Sequence, residues 1–168
     1  GQICFTSKVD EGTSFVITLP FQISSDRELK MPESSVENVS LKGKRALLVE
    51  DNDLNMEIAE FILENEGAIV TKAWNGQQAV DIFRESKPGD IDVILMDLMM
   101  PELNGIQATK LIRSMNRADA STIPIIAMTA NAFKEDMEMS REAGMNEHLA
   151  KPLDSQKIIT TIAKYIKK

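Results

Sequence analysis

Three acids, a hydroxyl and an ammonium follow short apolar runs in this chain. Ala46-Leu47-Leu48-Val49 ends in Glu50-Asp51, Val93-Ile94-Leu95-Met96 ends in Asp97, Ile125-Ile126-Ala127-Met128 ends in Thr129, and His148-Leu149-Ala150 is followed by Lys151. Carboxylates gathered in one crevice repel each other, and a hard divalent cation relieves that repulsion. Mg²⁺ wants about six oxygens in near-octahedral geometry and keeps several waters. Asp51, Asp97 and a backbone carbonyl just past Asp97 would supply the protein's share, with Glu50 in or just outside the first ring of ligands. Lys151 is left to pair with an anion. An Asp carboxylate is a nucleophile toward phosphorus and forms an aspartyl-phosphate. The rest of such a reaction is positioning and charge neutralisation, which Mg²⁺, Lys151 and the Thr129 hydroxyl could share among three phosphoryl oxygens. Singly, these residues are ordinary: an Asp after a strand is usually a loop or cap residue, and a Lys before Pro is usually exposed. The weight lies in four strand ends each supplying a group that one phosphate–Mg²⁺ site needs.

Those strand ends presuppose a particular fold. Runs that are apolar at every position suit strands buried on both faces of a parallel sheet. Ile69-Val70-Thr71 and His148-Leu149-Ala150 are shorter and more mixed, as edge strands are. Helical periodicity fills the intervals. Residues 53–66 place Ile58, Ala59, Ile62 and Leu63 on one face and stop at Gly67. Residues 76–85 follow Asn75 as N-cap, with Gln78 three residues on. Residues 105–116 bring Ala108, Leu111, Ile112 and Met115 together. Residues 131–142 form a weaker pattern around Phe133 and Met137, and residues 155–166 follow Asp154 as N-cap. Five alternating β and α units predict an α/β fold, a five-stranded parallel sheet with helices on both faces. Such sheets bind ligands at the carboxyl ends of their strands, where the polar set sits.

The first 42 residues differ in texture. Residues 1–21 read as a β-hairpin: Ile3-Cys4-Phe5-Thr6 and Ser14 to Leu19 flank a turn at residues 8–12, where Gly12 suits positive φ. Two strands alone are marginal in water, so the hairpin should need a partner surface. Residues 22–42 are polar and aperiodic, and read as a linker. Residues 43–168 form the globular part. The chain has 168 residues, enough for one domain and a short extra segment. A net charge of -7 argues against nucleic acid as a partner. The single cysteine, Cys4, excludes an internal disulfide. Neither a bilayer-length apolar run nor a signal-peptide pattern is present, so the expected setting is cytoplasmic, without membrane contact by this segment.

At the strand ends the sequence resembles response-regulator receiver domains. Leu47-Leu48-Val49-Glu50-Asp51-Asn52, Ile94-Leu95-Met96-Asp97-Leu98-Met99-Met100-Pro101, Ile126-Ala127-Met128-Thr129-Ala130 and His148-Leu149-Ala150-Lys151-Pro152 are similar to the four signature blocks of that family, in order. Asn75-Gly76-Gln77-Gln78-Ala79 and Glu142-Ala143-Gly144-Met145 also resemble it. The resemblance implies a (βα)5 flavodoxin-like fold of strand order 2-1-3-4-5. It implies Asp97 as the phosphoacceptor, Glu50, Asp51 and Asp97 with the Met99 carbonyl as the Mg²⁺ pocket, and Thr129 and Lys151 as the switch hydroxyl and phosphate-binding lysine. It also implies a cis Lys151–Pro152 peptide. His148 falls where many receivers carry a Tyr or Phe that rotates on activation, and departs from that pattern. Gly1-Gln2-Ile3, Ser7 and Glu11 to Pro20 are similar to the end of a histidine-kinase ATP-binding domain. Together these stretches imply the C-terminal part of a hybrid sensor histidine kinase, itself cytoplasmic or membrane-anchored, with a homodimer through the parent as a further expectation.

The segment itself lacks a Gly-rich nucleotide loop, and its one histidine, His148, lacks the surroundings of a kinase histidine. The expected donor is therefore a phosphohistidine of the parent's kinase core or of a histidine phosphotransfer protein. With no DNA-binding segment after Lys168, relay is expected over direct gene control. The alternative is a receiver-shaped binding module that needs no phosphate, against which the complete acid, hydroxyl and lysine set counts. A haloacid-dehalogenase-type phosphatase wants a second Asp two residues past the nucleophile, where Met99 stands. An FMN carrier would meet Glu50 and Asp51 where its phosphate loop belongs.

Overall fold

A computed structural model describes residues 1–20, 40–130 and 134–166, with backbone alone at 134–136. Most of the expected linker and the expected contribution of Phe133 lie outside the described residues. The chain divides into two compact units, Gly1–Glu37 and Asn38–Lys168.

In the first unit, β1 (Gln2–Lys8) pairs antiparallel with β2 (Gly12–Thr18). Asp10 and Gly12 take positive φ in the turn, 63° and 97°. The Phe5 and Phe15 rings sit opposite each other with centroids 6.0 Å apart. Every residue of both strands is exposed.

The second unit alternates strand and helix: β3 (Arg45–Val49), α1 (Asp53–Asn65), β4 (Ile69–Ala73), α2 (Gly76–Glu85), β5 (Val93–Asp97), α3 (Gly105–Arg113), β6 (Ile125–Thr129), α4 (Lys134–Glu142), β7 (Glu147–Ala150) and α5 (Ser155–Ile166). The sheet is parallel with order β4-β3-β5-β6-β7, which is 2-1-3-4-5 counted within the unit. The two mixed runs, β4 and β7, are the edges.

Alternation along the strands sorts the core into two layers. Leu47, Val49, Ile94, Met96, Ile125 and Ala127 pack with Ala79, Val80 and Phe83 of α2 and Ala108 and Ile112 of α3. Ala46, Leu48, Val93, Leu95, Ile126 and Met128 pack with Met56, Ala59 and Leu63 of α1 and Ile158 and Ile162 of α5. Fully burying one such side chain contributes about 1.5–3 kcal/mol. Leu41, just before the change of texture at Gly43, is buried in this second layer.

Two expected helix faces need correction. Ile58 and Leu111 are exposed, not buried. On α1 the buried stripe runs through Met56, Ala59 and Leu63, and Ile58 lies about 200° from Met56 around the helix, off that stripe. On α3 the buried stripe is Ala108, Thr109 and Ile112, which leaves Leu111 on the flank. The third helix also stops at Arg113, short of residue 116, where the Ser114 hydroxyl donates to the Leu111 carbonyl. The N-caps are as expected: Asn75 accepts from the Gln78 N–H at 2.8 Å, and Asp154 from the Lys157 N–H at 2.8 Å.

Candidate functional site

The ends of β3, β5, β6 and β7 converge because neighbouring parallel strands run in register: Val49 lies beside Met96, Asp97 beside Met128, and Thr129 beside Ala150. Glu50, Asp51 and Asp97 each offer a carboxylate oxygen within 4.8 Å of the others. Glu50 is 1% exposed and Asp97 4%, while Asp51 opens to solvent. One cation reaches into this set. The Lys151 ammonium lies 2.6 Å from Glu50 Oε2 and 2.6 Å from Asp97 Oδ2. Burial pulls the lysine pKa down, but its hydrogen bonds to Asp97 and Glu50, together with their charges, outweigh burial and raise it above the ordinary value. Lys151 is therefore a firm cation at neutral pH. Three acids against one ammonium leave a negative pocket, a donor set of hard oxygens that suits a small divalent cation.

The other Asp97 oxygen, Oδ1, accepts the Met99 backbone N–H at 3.1 Å, so both carboxylate oxygens are oriented. The Met99 side chain turns outward and is 77% exposed. Thr129 ends β6, is 3% exposed, and its carbonyl accepts the Lys151 N–H at 2.8 Å. The Lys151–Pro152 peptide is cis. His148 lies one strand over from Ala127, half-buried, with Nε2 against the Ser140 hydroxyl of α4. Burial lowers its pKa, the Glu147 charge opposing and the Arg141 charge adding to the effect. Glu50, Asp51, Asp97 and Lys151 thus come together, Thr129 closes the neighbouring strand, and His148 stands apart on the edge.

Two residues that support the pocket are absent from the sequence reading. Gly105 opens α3 so close to β5 that a Cβ there would lie 2.1 Å from the Asp97 carbonyl oxygen. Asn55 donates through Nδ2 to Glu50 Oε1 at 2.9 Å. The signal for Gly105 is the Asn104-Gly105 pair opening a helix, since glycine there weakens the helix unless something needs the space. Asn55 is signalled only by its place three residues after the cap Asn52, where a Glu or Gln would complete a capping box.

The response regulator receiver domain family matches residues 46–163. This chain is a member of that family. Its receiver part is 40% identical over 129 residues to a hybrid signal transduction histidine kinase of Dictyostelium discoideum, covering 73% of this chain but only 7% of that kinase. A crystal structure of the receiver domain of a Pseudomonas aeruginosa sensor histidine kinase, with magnesium in its active-site cleft, superposes with a TM-score of 0.68 at 38% identity. That match covers 75% of this chain and 99% of the other. A Saccharomyces cerevisiae response-regulator receiver, solved with its histidine phosphotransfer protein, gives 0.65 at 30% identity, covering 74% and 90%. Among the described residues of this receiver no helix is long and apolar enough to cross a membrane.

Proposed function

We propose that this receiver takes a phosphoryl group from a phosphohistidine onto Asp97, in a Mg²⁺-dependent reaction, as the C-terminal part of a hybrid histidine kinase. The observation that carries the reading is the ammonium of Lys151 held 2.6 Å from both Asp97 and Glu50, in a pocket where three acids face that one ammonium. Glu50, Asp51 and Asp97, with the Met99 carbonyl, would hold Mg²⁺, which when bound neutralises the acids and the incoming phosphoryl oxygens. The magnesium in the cleft of the 38%-identical Pseudomonas receiver supports this assignment.

A carboxylate nucleophile has no proton to lose, so Asp97 needs no base. One carboxylate oxygen forms the new O–P bond while the donor's N–P bond breaks, and that electron pair stays on the donor imidazole. Lys151 exchanges its contact with Asp97 for a phosphoryl oxygen, and the Thr129 hydroxyl takes another. That exchange moves the end of β6, and His148, on the neighbouring β7 and against Ser140 of α4, would report it to α4 as the switch residue.

The hybrid-kinase setting draws on the hairpin's likeness to the end of a kinase ATP-binding domain and on the Dictyostelium relative. In this reading residues 1–21 are that remnant, 22–42 a linker and 43–168 the receiver. The donor must cover the pocket mouth, from which α1 starts. Leu54, Ile58 and Phe61 form an exposed apolar stripe along that helix, suited to a helical face of the phosphohistidine protein. Phe61→Ala should leave labelling by acetyl phosphate unchanged and slow transfer from a phosphohistidine protein.

The test of the reading is intact mass after incubation with acetyl phosphate. One phosphate adduct with Mg²⁺ and none with EDTA is expected. A folded, Mg²⁺-loaded chain that takes no adduct would turn the reading toward a phosphate-independent binding module.

A further inference from the structure

The two oxygens of the buried Glu50 carboxylate have different partners. Oε2 faces the Lys151 ammonium at 2.6 Å and has no hydrogen bond from any other described group. Oε1 accepts the Asn55 side-chain N–H at 2.9 Å. Asn55 is itself fixed, because its backbone N–H donates to the cap Asn52 at 3.1 Å in the first turn of α1. The amide is neutral and does not titrate, so it adds direction without altering the pocket's charge.

This matters for which cation the three acids accept. Mg²⁺ takes six ligands at short distance, usually one oxygen per carboxylate, and keeps its waters. Ca²⁺ takes six to eight and commonly binds a carboxylate through both oxygens. A Glu50 with Oε1 tied to Asn55 offers a cation only Oε2, the oxygen that Lys151 also contacts. A Glu50 released from Asn55 can rotate and offer two.

We propose that Asn55 is a positioning residue that sets the pocket's preference for Mg²⁺ over Ca²⁺ by keeping Glu50 a single-oxygen donor. The proposal rests on the reading of Glu50, Asp51 and Asp97 as a cation pocket, and goes beyond it by naming what tunes the pocket. Groups that orient a metal's ligands typically change its affinity 10–100-fold when removed, so the expected shift in relative preference is about tenfold.

Isothermal titration of Mg²⁺ and of Ca²⁺ into the whole chain tests this for the wild type, Asn55→Ala and Asn55→Asp, with thermal melts to show that each is folded. In Asn55→Ala the ratio of the two dissociation constants should move about tenfold toward Ca²⁺. Asn55→Asp should move it the same way, because a fourth carboxylate repels Glu50 off its present rotamer. A merely structural role would lower the melting temperature and weaken both ions in parallel, and that result overturns the proposal. An unchanged ratio overturns it too, while leaving the pocket itself standing. A wild-type chain that binds neither ion overturns the pocket and the proposal together.

Discussion

The two ends of the parallel sheet both carry buried or half-buried charge, and they are built on opposite principles. At the amino end, Arg45 donates to Asp92 and approaches Asp90, and its guanidinium also reaches the Gly89 carbonyl. Arg117 makes a two-pronged pair with Asp119 at 2.6 and 2.9 Å, donates to the Phe83 and Ser86 carbonyls, and stacks 4.0 Å over the Phe83 ring. Each acid there also accepts a backbone N–H: Asp90 from Lys87, Asp92 from Arg45, Asp119 from Gly89. At the carboxyl end one lysine touches two of three clustered acids, Glu50 and Asp97. Charge that is fully answered by the protein ties loops together. Negative charge left in excess, as at the carboxyl end, suits a small divalent cation.

The first way to break this contrast is to remove the lysine. Lys151→Ala should slow labelling by acetyl phosphate by about 10²–10³-fold, the usual cost of losing one oriented charge-stabilising group. It should also lower the melting temperature in metal-free buffer, where Glu50 and Asp97 lose their counter-charge. Titrating Mg²⁺ should narrow that difference, and a difference insensitive to Mg²⁺ would mean that the acids and the cation do not share one pocket.

Arg117→Ala probes the other end. It leaves Asp119 partly buried without its partner and should cost on the order of 2–4 kcal/mol in urea unfolding. The labelling rate of the folded fraction should stay at the wild-type value. A large loss of labelling would erase the distinction between the two ends.

The smallest expected effect is on acid stability. Hydrogen bonds from Arg117, ahead of the opposing effect of burial, hold Asp119 below the ordinary carboxyl range. Burial pushes Asp92 up, but bonds from Arg45 overcome it and the net shift is also down. A carboxyl depressed in the folded state stabilises above its unfolded value near 3.8 and loses that contribution as pH falls through the folded value. Asp119→Asn and Asp92→Asn should therefore flatten the fall in stability below about pH 4, the partly exposed Asp92 by about 1 kcal/mol or less. His148 works in a different window. Its folded pKa is lowered, so acidification through the unfolded value of 6.5 favours unfolding, and replacing it should remove stability loss between neutral pH and pH values just below 6.5.

The sheet and the polar set along its carboxyl edge were legible from sequence because one pattern encodes both. A strand apolar at every position is buried on both faces, and the first polar residue after it marks the carboxyl end, as at Val49–Glu50, Met96–Asp97 and Met128–Thr129. The helix faces were less legible. Ile58 and Leu111 are as apolar as their buried neighbours, and only their angle on the helix sets them outside. Asn55 was only faintly legible, from its place after the cap Asn52, and Arg117 was not legible at all. Asn55 matters through one hydrogen bond to a residue five positions earlier. Arg117 matters through Phe83 and Ser86, more than thirty residues away along the chain.

The residue that receives the phosphoryl group can be read directly. An acyl phosphate is reduced by borohydride to an alcohol, which converts a phosphorylated Asp to homoserine and leaves unmodified carboxylates alone. After labelling with acetyl phosphate and Mg²⁺, peptide mapping of the reduced chain should find homoserine at position 97 and not at 51, and Asp97→Asn should yield none. Homoserine at another carboxylate, or labelling of Asp97→Asn equal to wild type, would contradict the account.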